Sequence, residues 1–258
     1  MLAAMKATAT IAKKKYGNFA VYTDSSSEYW LAQIMPDMEI CVVDTAVFDQ
    51  HDTAFYSKCK IFTYLKQTDA FLHLDLDFLL GPEWNLDLLD KHSLVGQWWE
   101  DVNDARAALY YNWSSESTTL TLPENMHSVD ANAPALNTGC LWVKDIEFIH
   151  QYANTVLHLV DQNYQAGIHA LSVPTLEQHV LGMLIKKFNI ATGVLIQPDE
   201  PYLPVNNRFI HFLGKRWKNR NLPLADSVLS QVLNSWIDQD LQDLAIRLNR
   251  QRALIADQ

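Results

Sequence analysis

Short apolar runs alternate with stretches of helical period through the first third of the chain. Phe19 to Thr23 is apolar and closes on Asp24-Ser25-Ser26-Ser27, small polar residues that suit the cap of a helix running through Tyr29 to Met35. Met38 to Val43 repeats the strand pattern, Phe55 to Lys66 reads as a second helix, and Ala70 to Asp75 reads as a third strand. This alternation predicts an α/β fold with a mostly parallel central sheet flanked by helices. Right-handed crossovers would set Asp24, Asp44 and Asp75 along one sheet edge, where open α/β sheets bind ligands. From Trp84 to Leu136 the period weakens into loops and short strands rich in Trp and Tyr. Beyond it, Leu141-Trp142-Val143 reads as a strand, Ile146 to Asn163 as a helix, and Pro174-Thr175 as the opening of a helix reaching Ile185. Arg208 to Phe212 is a further strand, and residues 226–254 form a C-terminal helical segment, amphipathic in pattern.

Composition narrows the class. A chain of 258 residues with 48% hydrophobic and 19% charged content can bury a substantial core, and a single domain over residues 1–258 accounts for it. Twenty Lys and Arg against 30 Asp and Glu give a net charge of -10, which opposes the counterion-release attraction behind nucleic-acid binding. No apolar run approaches the roughly 18 residues that cross a bilayer. The opening residues set apolar content before Lys13-Lys14-Lys15, the reverse of a secretory signal, so no export is expected. Cys41, Cys59 and Cys140 form no CxxC pair and read as buried reduced thiols, which implies a cytoplasmic location. The sequon at Asn112 is then incidental.

The chemistry concentrates in two places. In His73-Leu74-Asp75-Leu76-Asp77, two carboxylates at i and i+2 would leave one strand from the same face, their Cα atoms about 6.6 Å apart. That spacing lets both reach one divalent cation, although acids that simply end a strand in solvent give the same pattern. The second is the basic stretch from Arg208 through His211, Gly214, Lys215 and Lys218 to Arg220, which carries no acid in an acidic chain. It suits an anionic ligand, with Gly214 allowing close backbone approach to a phosphate and His211 offering a metal a nitrogen. A solvated basic loop is the plainer alternative.

Together these motifs resemble the metal-dependent glycosyltransferases of GT-A fold, particularly family 8, the family of glycogenin and the lipopolysaccharide galactosyl- and glucosyltransferases. Tyr56-Ser57-Lys58-Cys59-Lys60 leading into Asp75-Leu76-Asp77 resembles that family's lysine-bearing helix and D-x-D strand. Asn137-Thr138-Gly139 resembles its N-[ST]-G turn, Glu177-Gln178 its D-Q helix start, and His211-Phe212-Leu213-Gly214 its H-F-x-G motif. The resemblance spans a catalytic core of residues 19–218. Two departures accompany it: Lys215-Arg216-Trp217-Lys218 lacks the family's proline, and Glu177 stands in place of Asp.

The resemblance implies a single GT-A domain that transfers a hexose, with retention, from a nucleotide diphosphate sugar, uridine in type, to an unidentified hydroxyl acceptor. It implies Mn²⁺ or Mg²⁺ on Asp75, Asp77 and His211. Donor contacts would come from Thr23, Asp24, Ser25, Lys58, Asp75, Asn137, Gly139, Gly214, Lys215 and Lys218. Glu177, Gln178 and Asp77 would serve catalysis, and Trp98, Trp99, Tyr110, Tyr111 and Trp113 would either stack on the acceptor or fill the core. Two other readings stay open. One is a sugar-nucleotide or glycan-binding protein without turnover, and the other a haloacid-dehalogenase-like phosphatase using Asp75-x-Asp77.

Overall fold

A computed structural model of the chain describes residues 2–44, 58–75, 78–81, 89, 91–104, 110–117, 120–165, 171–197 and 209–211. The segment Leu2–Tyr16 is helix α1, packed against the strand that starts at Phe78. The Thr8 hydroxyl donates to the Phe78 carbonyl at 2.6 Å, and Ala12 joins Phe78, Leu80 and Phe209 in one apolar cluster. Strand β1 (Ala20–Thr23), helix α2 (Ser25–Ile34) and strand β2 (Glu39–Val42) follow as the pattern predicts. β1 and β2 pair in parallel, Thr23 opposite Val42, so Asp24 and Asp44 leave the same edge.

Helix α3 (Lys58–Tyr64) leads into β3 (Phe71–Leu74), β4 (Phe78–Leu80), β5 (Leu94–Gly96) and β6 (Trp99–Glu100). After the short helix α4 (Trp113–Glu116) and a 3₁₀ turn (Glu124–Met126) come β7 (Ala135–Leu136), β8 (Cys140–Val143) and the long helix α5 (Ile146–Gln165). A π-helical turn (Thr175–His179) runs into α6 (Val180–Phe188), followed by β9 (Thr192–Val194) and β10 (Phe209–His211). Residues 226–254 lie outside the described residues. No described helix is long and apolar enough to cross a membrane.

The class is α/β, but the described strands are of mixed orientation. The largest sheet has the order β3-β8-β5-β9. β8 runs antiparallel to both neighbours, and only β5 and β9 are parallel within it. The β4–β10 and β6–β7 pairs are antiparallel as well. The expectation of a mostly parallel sheet assumed a helical crossover between successive strands. β8 instead enters from the Asn137–Gly139 turn directly after β7, and so runs against β3. β3 shares no described ladder with β1 or β2.

Strand alternation gives the large sheet two apolar faces. Leu94, Leu141 and Val143 point into the main core with Ile61 and Tyr64 of α3, Ile149, Tyr152 and Val156 of α5, and Val180 and Leu184 of α6. Val95 and Cys140 point the other way, toward Phe78, Leu80 and Phe209. Buried residues of α5 at 148, 149, 152, 153, 156, 159 and 160 trace one helical face, which is why this helix was legible in the sequence. Of the thiols, Cys140 is buried as expected, whereas Cys59 is exposed; all three are free.

Candidate functional site

The chemistry gathers at the end of the large sheet where β3 leaves and β8 enters. Asp75 follows the last residue of β3, and its N–H donates to the Gly139 carbonyl at 2.9 Å, which ties it to the N-T-G turn. Lys60, on α3, brings its ammonium into the same space. It donates to Asp75 Oδ1 at 2.7 Å, to the Thr138 carbonyl at 3.0 Å, and to Glu177 Oε1. The Thr138 hydroxyl donates to Glu177 Oε1 at 2.6 Å, and the Tyr152 hydroxyl to the Glu177 carbonyl at 2.7 Å. Three other segments of the chain thus converge on one ammonium.

The electrostatics follow from that packing. Burial alone would pull the Lys60 pKa down, but the Asp75 and Glu177 charges outweigh it and hold the ammonium above its ordinary value. Burial would likewise raise Asp75, yet the Lys60 charge and a hydrogen bond from His73 keep the carboxyl well below the usual range. His73 Nε2 lies 2.9 Å from Asp75 Oδ1; burial, then the Lys60 charge, lowers its pKa and favours the neutral ring.

A second set of bonds adjoins the first. Asn137 Oδ1 accepts the Gly139 N–H at 3.1 Å and Asn137 Nδ2 donates to Glu100 Oε1 at 2.9 Å. The Tyr111 hydroxyl lies 2.9 Å from Glu100 Oε2 and 2.8 Å from Gln178 Oε1. Glycine permits a close approach from below: a Cβ at Gly182 of α6 would meet the Pro134 carbonyl oxygen at 2.0 Å, so α6 sits hard against the residue that precedes β7. The turn carrying Glu177 and Gln178 is anchored by Asn112, whose Oδ1 accepts from the Ser172 N–H and the Thr175 hydroxyl, each at 3.0 Å. The sequon asparagine is therefore a structural tether.

Asp77, Gly214, Lys215 and Lys218 lie outside the described residues, as does the His211 side chain. The backbone of β10 sets His211 opposite Phe78, one residue past the D-x-D. β3 ends at Leu74 and the Phe78 N–H donates back to the Asp75 carbonyl at 3.0 Å, while the face expected to be shared with Asp77 lies outside the described residues. Asp75 is thus not part of the strand that the i, i+2 argument requires. Among the described residues no group of three or more His, Cys, Asp and Glu could hold a metal. Asp75 itself fits a metal ligand: its contacts among the described residues fall on Oδ1, none of them on Oδ2, and the side chain is 32% exposed.

The N-terminal corner is built differently. Asp24 is the cap of α2, its Oδ1 accepting from the Ser27 N–H at 2.9 Å and from the Ser26 hydroxyl, and that hydroxyl lowers its pKa. Ser25 begins the helix, and Thr23 ends β1, its carbonyl taking the Val43 N–H at 2.7 Å. Trp113 and Tyr111 are buried and Trp98 and Trp99 partly so, leaving Tyr110 as the most exposed of the five aromatics proposed for stacking.

A family model described as a family of unknown function, DUF6734, matches residues 2–236. The chain belongs to DUF6734. No curated protein matches it.

In this DUF6734 chain three site residues escaped the sequence reading. Lys58 was matched to the donor-side lysine, but it is Lys60, two positions on, that reaches the carboxylates; positions two apart do not share a helix face. The usable signal was phase, since Lys60 stands one turn before the buried Tyr64. Glu100 joins Asn137 to Tyr111 and carried no motif at all. Thr138, the variable position of the N-[ST]-G turn, supplies both its hydroxyl and its carbonyl to the cluster.

Proposed function

We propose that the chain is a metal-dependent glycosyltransferase that moves a hexose from a nucleotide diphosphate sugar, uridine in type, to a hydroxyl acceptor, with retention of configuration. The observation that carries this reading is the convergence of Asp75, Asn137, Gly139, Glu177 and Gln178 at one sheet end, although 102 positions separate Asp75 from Glu177 in the sequence. These are the residues by which the chain resembles family 8, and the GT-A fold is part of the same proposal.

In this reading Asp75, through Oδ2, holds Mn²⁺ or Mg²⁺ together with Asp77 and His211. When bound, the ion supplies Lewis-acid stabilisation of the diphosphate leaving group. Lys60 keeps Asp75 ionised and fixes it relative to Glu177. Lys215 and Lys218 add positive charge beside the phosphates, with Gly214 permitting their close approach. Thr23, Asp24, Ser25 and Lys58 line the nucleoside side. Asn137 and Gly139 face the sugar, and the Gln178 amide stands near the anomeric carbon, where an oxygen stabilises an oxocarbenium-like transition state. Glu177 is anchored by Lys60 and Thr138 and acts by holding this geometry, so Gln178 is the group free to meet the substrate.

The anchoring of Glu177 also favours a second reading, binding of a sugar nucleotide without turnover. One experiment separates them. With uridine diphosphate hexoses and Mn²⁺, a transferase releases free sugar slowly to water and its thermal midpoint rises with the nucleotide. A midpoint shift with an intact donor supports the binding protein, and no shift with any nucleotide diphosphate removes both.

A further inference from the structure

The bonds around Tyr111 have a fixed direction. The Gly139 N–H can only donate, so Asn137 Oδ1 is the acceptor and Asn137 Nδ2 must face Glu100. A carboxylate only accepts, so Glu100 Oε2 takes the single proton of the Tyr111 hydroxyl. Burial, then the Glu100 charge, pushes the Tyr111 phenol above its ordinary pKa, which keeps that proton in place. Having given its proton away, the Tyr111 oxygen is left as an acceptor, and the amide as placed sets Gln178 Oε1 against it at 2.8 Å, two acceptors face to face, so the amide must be turned end for end. Only the amide nitrogen can donate there, and the two ends of a glutamine amide are interchangeable in shape. The carbonyl oxygen therefore takes the opposite end, which has no partner among the described residues.

We propose that Glu100 and Tyr111 are positioning residues that orient the Gln178 amide, holding its nitrogen on the Tyr111 oxygen and turning its carbonyl oxygen to the ligand site. The consequence for a hexosyl ligand rests on the function proposed above; the orientation does not. With Oε1 left on Tyr111 the amide would present N–H donors where positive charge develops, while the turned amide presents an oxygen. The Glu100 carboxylate, which can only accept, thus sets through Tyr111 which atom of Gln178 meets the ligand.

Two nearly isosteric variants of the full chain test this. Tyr111→Phe removes the acceptor for the Gln178 nitrogen. Glu100→Gln reverses the chain, because Asn137 still claims Oε1 and the new Nε2 then donates to the Tyr111 oxygen, which sends the hydroxyl proton to the Gln178 carbonyl. The direct readout is solvent exchange of the Gln178 side-chain NH₂ by ¹⁵N NMR, assigned by its absence in Gln178→Leu. One NH₂ proton should exchange on the order of tenfold more slowly in the wild-type chain than in either variant. With uridine diphosphate glucose and Mn²⁺, both variants should lose kcat for donor hydrolysis by tenfold to a hundredfold, on the order expected for a misplaced group, with KM little changed. Equal NH₂ exchange in all three proteins overturns the proposal, as does full kcat in Glu100→Gln. The expected exchange pattern in a chain that hydrolyses no donor upholds the orientation and counts against the proposed function.

Discussion

The two corners where the sequence resembles a sugar-nucleotide site are held by different kinds of bonding. At the sheet end, Asp75, Thr138 and Glu177 share one largely buried ammonium, and each carboxylate has a partner from a different segment. At the end of β1, the bonds of Asp24 among the described residues go to Ser26 and Ser27 on its own helix, and the exposed Tyr29 and Trp30 lie in that helix. The first corner is a tertiary construction whose parts depend on one another. The second is local capping that would form in almost any helix of this sequence. Losing one residue should therefore spread through the first corner and stay confined in the second.

The largest effect should come from Lys60→Met. Removing the ammonium leaves Asp75 and Glu177 facing each other without compensation, and breaking a buried pair in this way costs about 3 to 5 kcal/mol. Urea denaturation reads that loss directly, and a loss below about 1 kcal/mol, as found for surface pairs, would place the cluster in solvent. Gly182→Ala comes next. The added methyl meets a backbone carbonyl, so α6 must retreat from β7, for about 1 to 3 kcal/mol, and the contact between Tyr111 and Gln178 should loosen with it. A crystal structure of that variant with Gln178 unmoved would show that the close approach does not set the site.

Acid should act on the sheet-end corner in two stages. His73 has a lowered pKa in the folded chain, so the unfolded state takes up its proton first and stability declines as pH falls below about 6.5. Asp75, also lowered, adds a second decline below about pH 4, lost as its folded value is approached. Lys60 has the opposite sign: its stabilisation persists below about pH 10.5 and is lost above it. His73→Gln should abolish the first stage in a series of denaturation curves. The smallest effect belongs to Asp24→Ala, about 1 kcal/mol for a lost cap. Asp24→Ser keeps a capping oxygen and should restore most of that stability, so any deficit in uridine diphosphate affinity that persists in the serine variant reports a ligand contact rather than the cap.

The same division governs what the sequence reveals. Local features were legible: the cap at Asp24, the strands around Val21 and Leu72, and the buried face of α5 are written in residues a few positions apart. The short strands β4 and β9, three residues each and the latter centred on Gly193, carry too little pattern to be seen. The direction of β8 depends on how the chain re-enters the sheet, which period and composition do not encode. Asp75, Asn137 and Gln178 were found through their motifs, whereas Lys60, Glu100 and Tyr111 owe their places to partners between 11 and 117 positions away.

The most direct measurement is calorimetric titration of uridine diphosphate into the wild-type chain and into Asp75→Asn, each with Mn²⁺ and with chelator. The account predicts binding to the wild-type chain only when Mn²⁺ is present, and none to Asp75→Asn, whose neutral amide cannot replace the carboxylate at the metal. Equal binding with chelator, or by the asparagine variant, would contradict a metal-dependent diphosphate site at Asp75.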